Sequence, residues 1–336
     1  MSLTKFIVNV FGYLFIGTIG LLLTIIILSL SIGFLTQYGV RLPNVEPFIS
    51  MQKKYYFGSR NIWQYQNDCV ENNDLTIYQP RFGVCEFENI EFKTRLTFSS
   101  NGRENNFDFN SERPAIAVLG DSHAMGWGVN DNETFGAQLQ NLTNRQVYNL
   151  AVSSYATERA LDRFSALGKG KNIDTIIIQY CDNDLNENLS YPIDRNIAKD
   201  RYIESVNLYP SLQKNAMTGK FFKAFKAFFP EKLKYWIKII IGRNVEKVEY
   251  QHRKGIEDLL IQYAELLSDK HVVIFFVSGQ NQFQPTSNWE GSFRAEGLNV
   301  DFVTLEIKDD FFYILDDHLN VHGHASIARQ LSDLVK

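Results

Sequence analysis

The chain has 336 residues, 45% hydrophobic and 21% charged, a composition that excludes a disordered polypeptide. A formal net charge of −4 argues against a broadly basic nucleic-acid-binding face, and Cys69, Cys85 and Cys181 lie too far apart for a zinc-type pattern. The length suits one full α/β domain with additions, and no fixed-period repeat or low-complexity tract interrupts it.

From Phe6 to Val40 no residue is charged, and the middle reads Gly20-Leu21-Leu22-Leu23-Thr24-Ile25-Ile26-Ile27-Leu28. About 20 apolar residues cross a bilayer core, so residues 6–36 are expected to form an uncleaved transmembrane anchor. A signal peptide needs a shorter apolar region and a small-residue cleavage site. Lys5 precedes the span while Arg41, Lys53 and Lys54 follow it, so the positive-inside rule leaves orientation open. Cysteine usage tips the balance. A disulfide between Cys69 and Cys85 would add about 3 kcal/mol in the chain-entropy model and would persist only in an oxidising compartment. The alternative is two unrelated free thiols. On the disulfide reading, residues 1–5 are cytoplasmic and the body of the chain is extracytoplasmic (periplasmic). Residues 37–110, rich in aromatics and Asn, read as an irregular, partly stranded cap with a turn at Asn101-Gly102.

From residue 111 to the end the pattern is regular. Ala115–Leu119 is a short apolar run ending at Gly120, as in a buried strand. A helix follows over Glu133–Leu142, a strand over Val147–Val152, a helix over Thr157–Leu167 and a strand over Ile173–Tyr180. Helical spacing over Ile256–Leu267 leads into a fourth strand, Val272–Val277; a fifth lies near Asp301–Leu305 and a last helix over Val321–Leu334. Strands alternating with helices predict parallel pairing with helices on both faces, and such sheets hold ligands at the carboxyl ends of their strands.

Four polar blocks fall at those ends: Gly120-Asp121-Ser122-His123, Asn149 to Thr157, Cys181-Asp182-Asn183-Asp184, and Asp316-Asp317-His318-Leu319-Asn320-Val321-His322-Gly323-His324. A serine hydroxyl is a weak nucleophile and needs a base within reach. Ser122 on a turn after a strand and His318 from the distant last block fit that requirement, with Asp316 to hold the other imidazole nitrogen. The four blocks in this order resemble the SGNH (GDSL-like) hydrolase superfamily over residues 111–336. The resemblance implies a doubly wound (flavodoxin-like), mostly parallel five-stranded sheet, a Ser122–His318–Asp316 triad, and an oxyanion hole formed by Ser122, Ser154 and Asn183, with no cofactor.

Two departures stand out. Ser154 occupies the position of the family's usual glycine. Asp316 precedes His318 by two residues where the family often places its aspartate three before, a position held here by Leu315. The Asp-x-His spacing is similar to that of membrane-associated O-acetylation proteins of the superfamily, which hints at acyl transfer to glycans. Asp317 competes with Asp316, and ranks lower because adjacent side chains seldom face the same way. His123 and Asp184 are candidate substrate contacts, although His123 reads more readily as crevice wall. The Asp and His residues of the last block are also candidate metal ligands, but His322 and His324 fall where Asn320 would cap a helix, and no metal site is expected.

Residues 186–250 form an insertion between the third and fourth strands. Its centre, residues 214–243, carries eight Lys or Arg against one acidic residue, Glu231. Phe221, Phe222, Phe225, Phe228 and Phe229 share a helical face opposite Lys220, Lys223 and Lys226, a pattern suited to a lipid interface as well as to simple cover for the sheet. The sequence therefore points to a membrane-anchored serine esterase acting on an acyl ester of a glycan or lipid. An O-acyltransferase working with a membrane protein partner, and a non-catalytic scaffold retaining the fold, are the alternatives.

Overall fold

A computed structural model of the chain describes residues 3–40, 42, 48–105, 109–191, 195–210, 245–279 and 289–335. They fall into two compact units, one ending at Arg60 and the other beginning at Asn61.

The first unit consists of helices α1 (Leu3–Gln37) and α2 (Phe48–Ser59). Within α1, Phe11–Thr36 has a mean hydropathy of 2.5 over its most apolar stretch, which is only 6% buried. At about 1.5 Å per residue this segment is long enough to cross the roughly 30 Å hydrocarbon core of a bilayer. The hydroxyls of Thr18, Thr24 and Ser31 donate to carbonyls four residues back, at 2.7, 2.9 and 2.9 Å, so their polarity is satisfied within the helix.

The second unit is built on a nine-stranded mixed sheet. Its strands, in chain order, are β3 (Gly83–Asn89), β4 (Phe92–Ser99), β5 (Gly102–Arg103), β6 (Ala115–Leu119), β7 (Gln146–Asn149), β8 (Ile173–Tyr180), β9 (His271–Phe276), β10 (Gly291–Phe293) and β11 (Asn299–Val303). A separate antiparallel pair, β1 (Val70–Asn73) and β2 (Ile77–Pro80), precedes them. The spatial order is β10-β11-β9-β8-β6-β7-β5-β4-β3. The five strands anticipated from the apolar runs are its parallel centre, in the order β7-β6-β8-β9-β11. That is the doubly wound arrangement whose direction of winding reverses between β6 and β8.

The expectation of five strands is thus corrected to nine. The additional strands are all antiparallel and extend both edges, β10 on β11, and β5, β4 and β3 beyond β7. Part of the segment expected to be an irregular, partly stranded cap therefore supplies sheet. The physical reason is the open edge of β7, whose unpaired backbone groups need partners. β4 obeys strict alternation, with Phe92, Thr94, Leu96 and Phe98 buried and the residues between them more exposed.

Alternation also divides the core. Ile116, Val118, Ile177, Val273 and Phe275 point to one face, where they meet α4 (Phe135–Thr143) and α10 (Val321–Ser332) through Phe135, Leu139, Ile327 and Leu331. Ala115, Ala117, Leu119, Ile176, Ile178 and Ile274 point to the other. There they meet α5 (Thr157–Leu167) and α8 (Val245–Gln262) through Leu161, Phe164, Ile256 and Leu260. Asn320 caps α10 by accepting from the His322 and Gly323 N–H groups at 2.9 and 3.0 Å. Cys69 and Cys85 are joined by a disulfide with Cα atoms 5.2 Å apart, and Cys181 is free and buried. Between β8 and β9 the structure describes α6 (Asp184–Ser190), α7 (residues 195–210), α8 and the single-turn α9 (Ala264–Leu267). The basic aromatic centre at 214–243 lies outside the described residues, and with it the anticipated lipid-facing helix.

Candidate active site

β6 delivers the chain to the point where the sheet winding reverses, and Gly120 makes the turn that follows. Its φ is +139°, and a Cβ there would lie 2.7 Å from Gln179 Oε1 and 2.8 Å from the Gln179 carbonyl oxygen, so only glycine fits. Asp121 then caps the single-turn helix α3 (Ser122–Met125), its side chain accepting from the His123 N–H at 2.8 Å. Ser122 is the first residue of that turn. Gln179 steadies the junction by accepting from the Asp121 N–H at 3.1 Å and donating to the Val277 carbonyl at 3.1 Å.

The last block arrives from the loop before α10. His318 Nε2 lies 2.7 Å from Ser122 Oγ, and His318 Nδ1 is hydrogen-bonded to Asp316 Oδ1. A carboxylate can only accept from Nδ1–H, which leaves the Nε2 lone pair to receive the serine proton. Asp316 is completely buried, while Ser122 and His318 are 9% and 8% exposed, so the chain of three runs from the interior to the surface. Asp317 Oδ1 is 3.7 Å from His318 Nδ1, beyond hydrogen-bond range. Chemically, this is a hydroxyl with a base in place and a buried anion to stabilise the imidazolium that would form.

Three residues outside the predicted set hold this arrangement. Trp127 donates from Nε1 to Asp316 Oδ2 at 3.2 Å, and its ring stacks on His318 with centroids 4.6 Å apart. Glu91, on the turn between β3 and β4, accepts the backbone N–H groups of Ile314, Leu315 and Asp316 at 3.0, 2.7 and 2.7 Å. Arg103, fully buried, donates to the carbonyls of Met125, Gly126 and Val129 at 2.6, 2.6 and 2.5 Å, and to Asp131 at 2.9 Å. It thereby closes the end of the turn that begins at Ser122. All three act from long sequence range, and no local motif marks them. The alternation of Phe92 to Phe98 is the one signal that would have drawn the β3–β4 turn toward the sheet.

The remaining predicted residues are distributed less simply. Ser154 follows β7 with φ +61°, a left-handed conformation that favours glycine, and its hydroxyl accepts from Gln64 Nε2 at 2.9 Å. Its backbone N–H, like that of Ser122, has no acceptor among the described residues. Asn183 follows β8 at the start of α6, exposed, and its side chain makes no hydrogen bond among the described residues. His123 is 4% exposed and lies against His318 and Phe312, with centroids 5.0 and 6.3 Å away. Burial, with His318 and His324 close by, holds its pKa well below the usual histidine value.

Asp184 is placed differently from its expected role as a substrate contact. It is 1% exposed, and its Oδ2 accepts from Thr157 Oγ1 at 3.0 Å. The first turn of α6 directs it into the protein, where burial and the neighbouring Asp121 push its pKa well up. Burial likewise raises Asp121, to about 6. Asp316, Asp317 and His318 form a trio with ligand atoms within 4.8 Å of one another. Both ring nitrogens of His318 are already engaged by Asp316 and Ser122, so a cation there would have to displace one of them. His324, the other buried histidine of this block, accepts the Phe135 N–H on Nδ1 at 3.1 Å, and burial lowers its pKa to about 3.

No family model and no curated protein matches the chain. Among solved structures, one resembling it is a Streptococcus pneumonia protein provisionally named a platelet activating factor. Its TM-score is 0.36 at 13% identity, covering 69% of this chain and 87% of the other. A second, provisionally named a lipolytic protein of the G-D-S-L family, comes from Desulfitobacterium hafniense DCB-2. Its TM-score is 0.32 at 12% identity, covering 67% of this chain and all of the other. Likeness at this level assigns neither a family nor an activity.

Proposed function

We propose that the chain is a membrane-anchored serine esterase or acyl-ester transferase of the SGNH type. The observation that carries this is the bridge of His318 between Ser122 Oγ, at 2.7 Å, and the buried Asp316 carboxylate. Ser122 Oγ attacks the ester carbonyl as His318 Nε2 takes its proton, and the carbonyl oxygen becomes an oxyanion. The N–H groups of Ser122 and Ser154 and the side-chain amide of Asn183 are its proposed donors. His318 returns the proton to the departing alcohol, leaving an acyl group on Ser122. Water resolves that ester in hydrolysis, and a sugar or lipid hydroxyl resolves it in transfer. Every atom needed is supplied by the chain and its substrates, with no cofactor.

The membrane reading rests on the exposed apolar segment Phe11–Thr36, and an extracytoplasmic position for the second unit is favoured by the Cys69–Cys85 disulfide. The test is turnover of p-nitrophenyl acetate and labelling by a fluorophosphonate probe, using the full chain in detergent, wild type against Ser122→Ala. Loss of a nucleophile of this kind costs about 10⁶-fold in kcat, so turnover and labelling should both disappear in the variant. A folded wild type that neither turns over nor labels would leave the scaffold alternative standing.

A further inference from the structure

Beside the second block lies a cavity of about 270 Å³, walled by the β1–β2 region, α5, α6 and α7. Ser154 stands in its wall, and the adjoining Ser153 rests its N–H on Met125 Sδ at 3.3 Å, in the same turn that begins at Ser122. Gln64 ties this wall together, accepting from Ser153 Oγ at 3.2 Å and donating to Ser154 Oγ at 2.9 Å.

The lining distinguishes between ligands. Among the described residues only Ile77 and Ala198 offer aliphatic surface, so the cavity is a poor host for a fatty acyl chain, and its size falls just below the usual range for pockets that hold drug-sized ligands. Tyr65 and Tyr202, both half-buried, provide the aromatic surface, and Tyr78, 3% exposed, backs Tyr202 by stacking on it at 4.6 Å. Arg159 lies among them, within 5.6 Å of the Tyr78 ring centroid, and is only 8% exposed. Its charge is matched by Glu187 at 2.5 Å, and the second lining cation, Arg201, is solvent-exposed, so the buried part of the wall is not a simple trap for an anion. Arg159 Nε is buried and has no hydrogen-bond partner among the described residues, which leaves a donor unsatisfied in this wall. Aromatic faces for C–H surface, donors and acceptors of both senses, and room for one ring together describe a carbohydrate subsite.

We infer that this cavity binds a single neutral pyranose unit, the sugar that carries or receives the acyl group. The inference rests on the serine-esterase reading for its role and on the lining for its chemistry. It therefore selects glycan over lipid among the substrates that reading allows.

The full chain in a sugar-free detergent is titrated with methyl glucopyranoside, methyl galactopyranoside and methyl N-acetylglucosaminide, followed by saturation-transfer NMR. At least one should give signals that Ser205→Trp, which fills the cavity from α7, and Tyr65→Ala, which removes a wall, both abolish. The KM for an acetylated methyl glycoside should rise by about tenfold in Ser205→Trp, equivalent to about 1.4 kcal/mol, while p-nitrophenyl acetate turnover is unchanged. No glycoside signal in the wild type would overturn the inference, as would signals that survive both substitutions. Selective loss of p-nitrophenyl decanoate hydrolysis in Ser205→Trp, with glycosides unaffected, would make the cavity an acyl channel and also overturn it. Glycoside binding without any ester turnover would uphold the subsite and refute the esterase; turnover without glycoside binding would do the reverse.

Discussion

Glu91 offers the sharpest test of how the site is held. One carboxylate receives three consecutive backbone N–H groups immediately before His318, at 3.0, 2.7 and 2.7 Å. Hydrogen bonds to a charged group contribute about 1.5–3 kcal/mol each. Ile314 is 41% exposed, so water can replace the carboxylate there, but Leu315 and Asp316 are buried and their N–H groups would be left unsatisfied. Two such losses put the cost of Glu91→Ala at about 3–6 kcal/mol, and Glu91→Gln, which keeps one acceptor oxygen, at about 2 kcal/mol. The same loop carries Asp316 and His318, and a displacement of about 1 Å in a catalytic group costs on the order of 10²-fold. Thermal unfolding of the detergent-solubilised chain reads the first effect. Steady-state p-nitrophenyl acetate kinetics read the second, with kcat falling more than KM rises. If Glu91→Ala unfolds like the wild type and keeps its kcat, the carboxylate does not position the loop.

Three further outcomes follow from the geometry. Ser154→Gly relieves a left-handed φ worth about 1 kcal/mol but loses the Gln64 bond of similar size, so stability should change by less than about 1 kcal/mol; Ser154→Val should cost about 2 kcal/mol or more. Equal melting temperatures for the two variants would contradict the backbone reading. Asp121 has a folded pKa of about 6, above its unfolded value near 3.8, so the unfolded chain binds fewer protons and stability falls as pH rises from about 4 to 6. Asp121→Asn, which can still cap α3, should match the wild type below pH 4 and be more stable by up to about 3 kcal/mol above pH 6. A gain that does not vary with pH would refute this. For His324 the sign is opposite: its pKa is depressed to about 3, so stability present above pH 6.5 is lost as pH falls towards 3, by up to about 5 kcal/mol. His324→Asn, whose side-chain oxygen can accept the Phe135 N–H, should remove about one proton of the uptake on acid unfolding. An unaltered acid limb would show that the buried imidazole is not its source.

Much of the scaffold was written locally. Ala115–Leu119, Ile173–Tyr180 and the helix Thr157–Leu167 have the predicted bounds, because apolar runs and helical spacing are properties of a few adjacent residues. The polar blocks fall at the carboxyl ends of strands for the same reason, so Ser122, Asp316 and His318 are legible in the sequence as nucleophile, acid and base. What the sequence could not supply was everything that depends on which distant segments meet. Whether Asp316 or Asp317 bonds His318 is decided by the loop from Phe312 to Leu319, which aims one carboxylate inward and leaves the other 3.7 Å away. The direction of Asp184 depends on how α6 leaves β8, and it turned a candidate contact into a buried acid. Glu91, Arg103 and Trp127 contribute through the strands that pair beyond β7 and through the turn after Ser122. A hydrogen bond across more than two hundred residues, such as Glu91 to Asp316, has no periodicity to betray it; only the pairing of the open sheet edge brings its ends together.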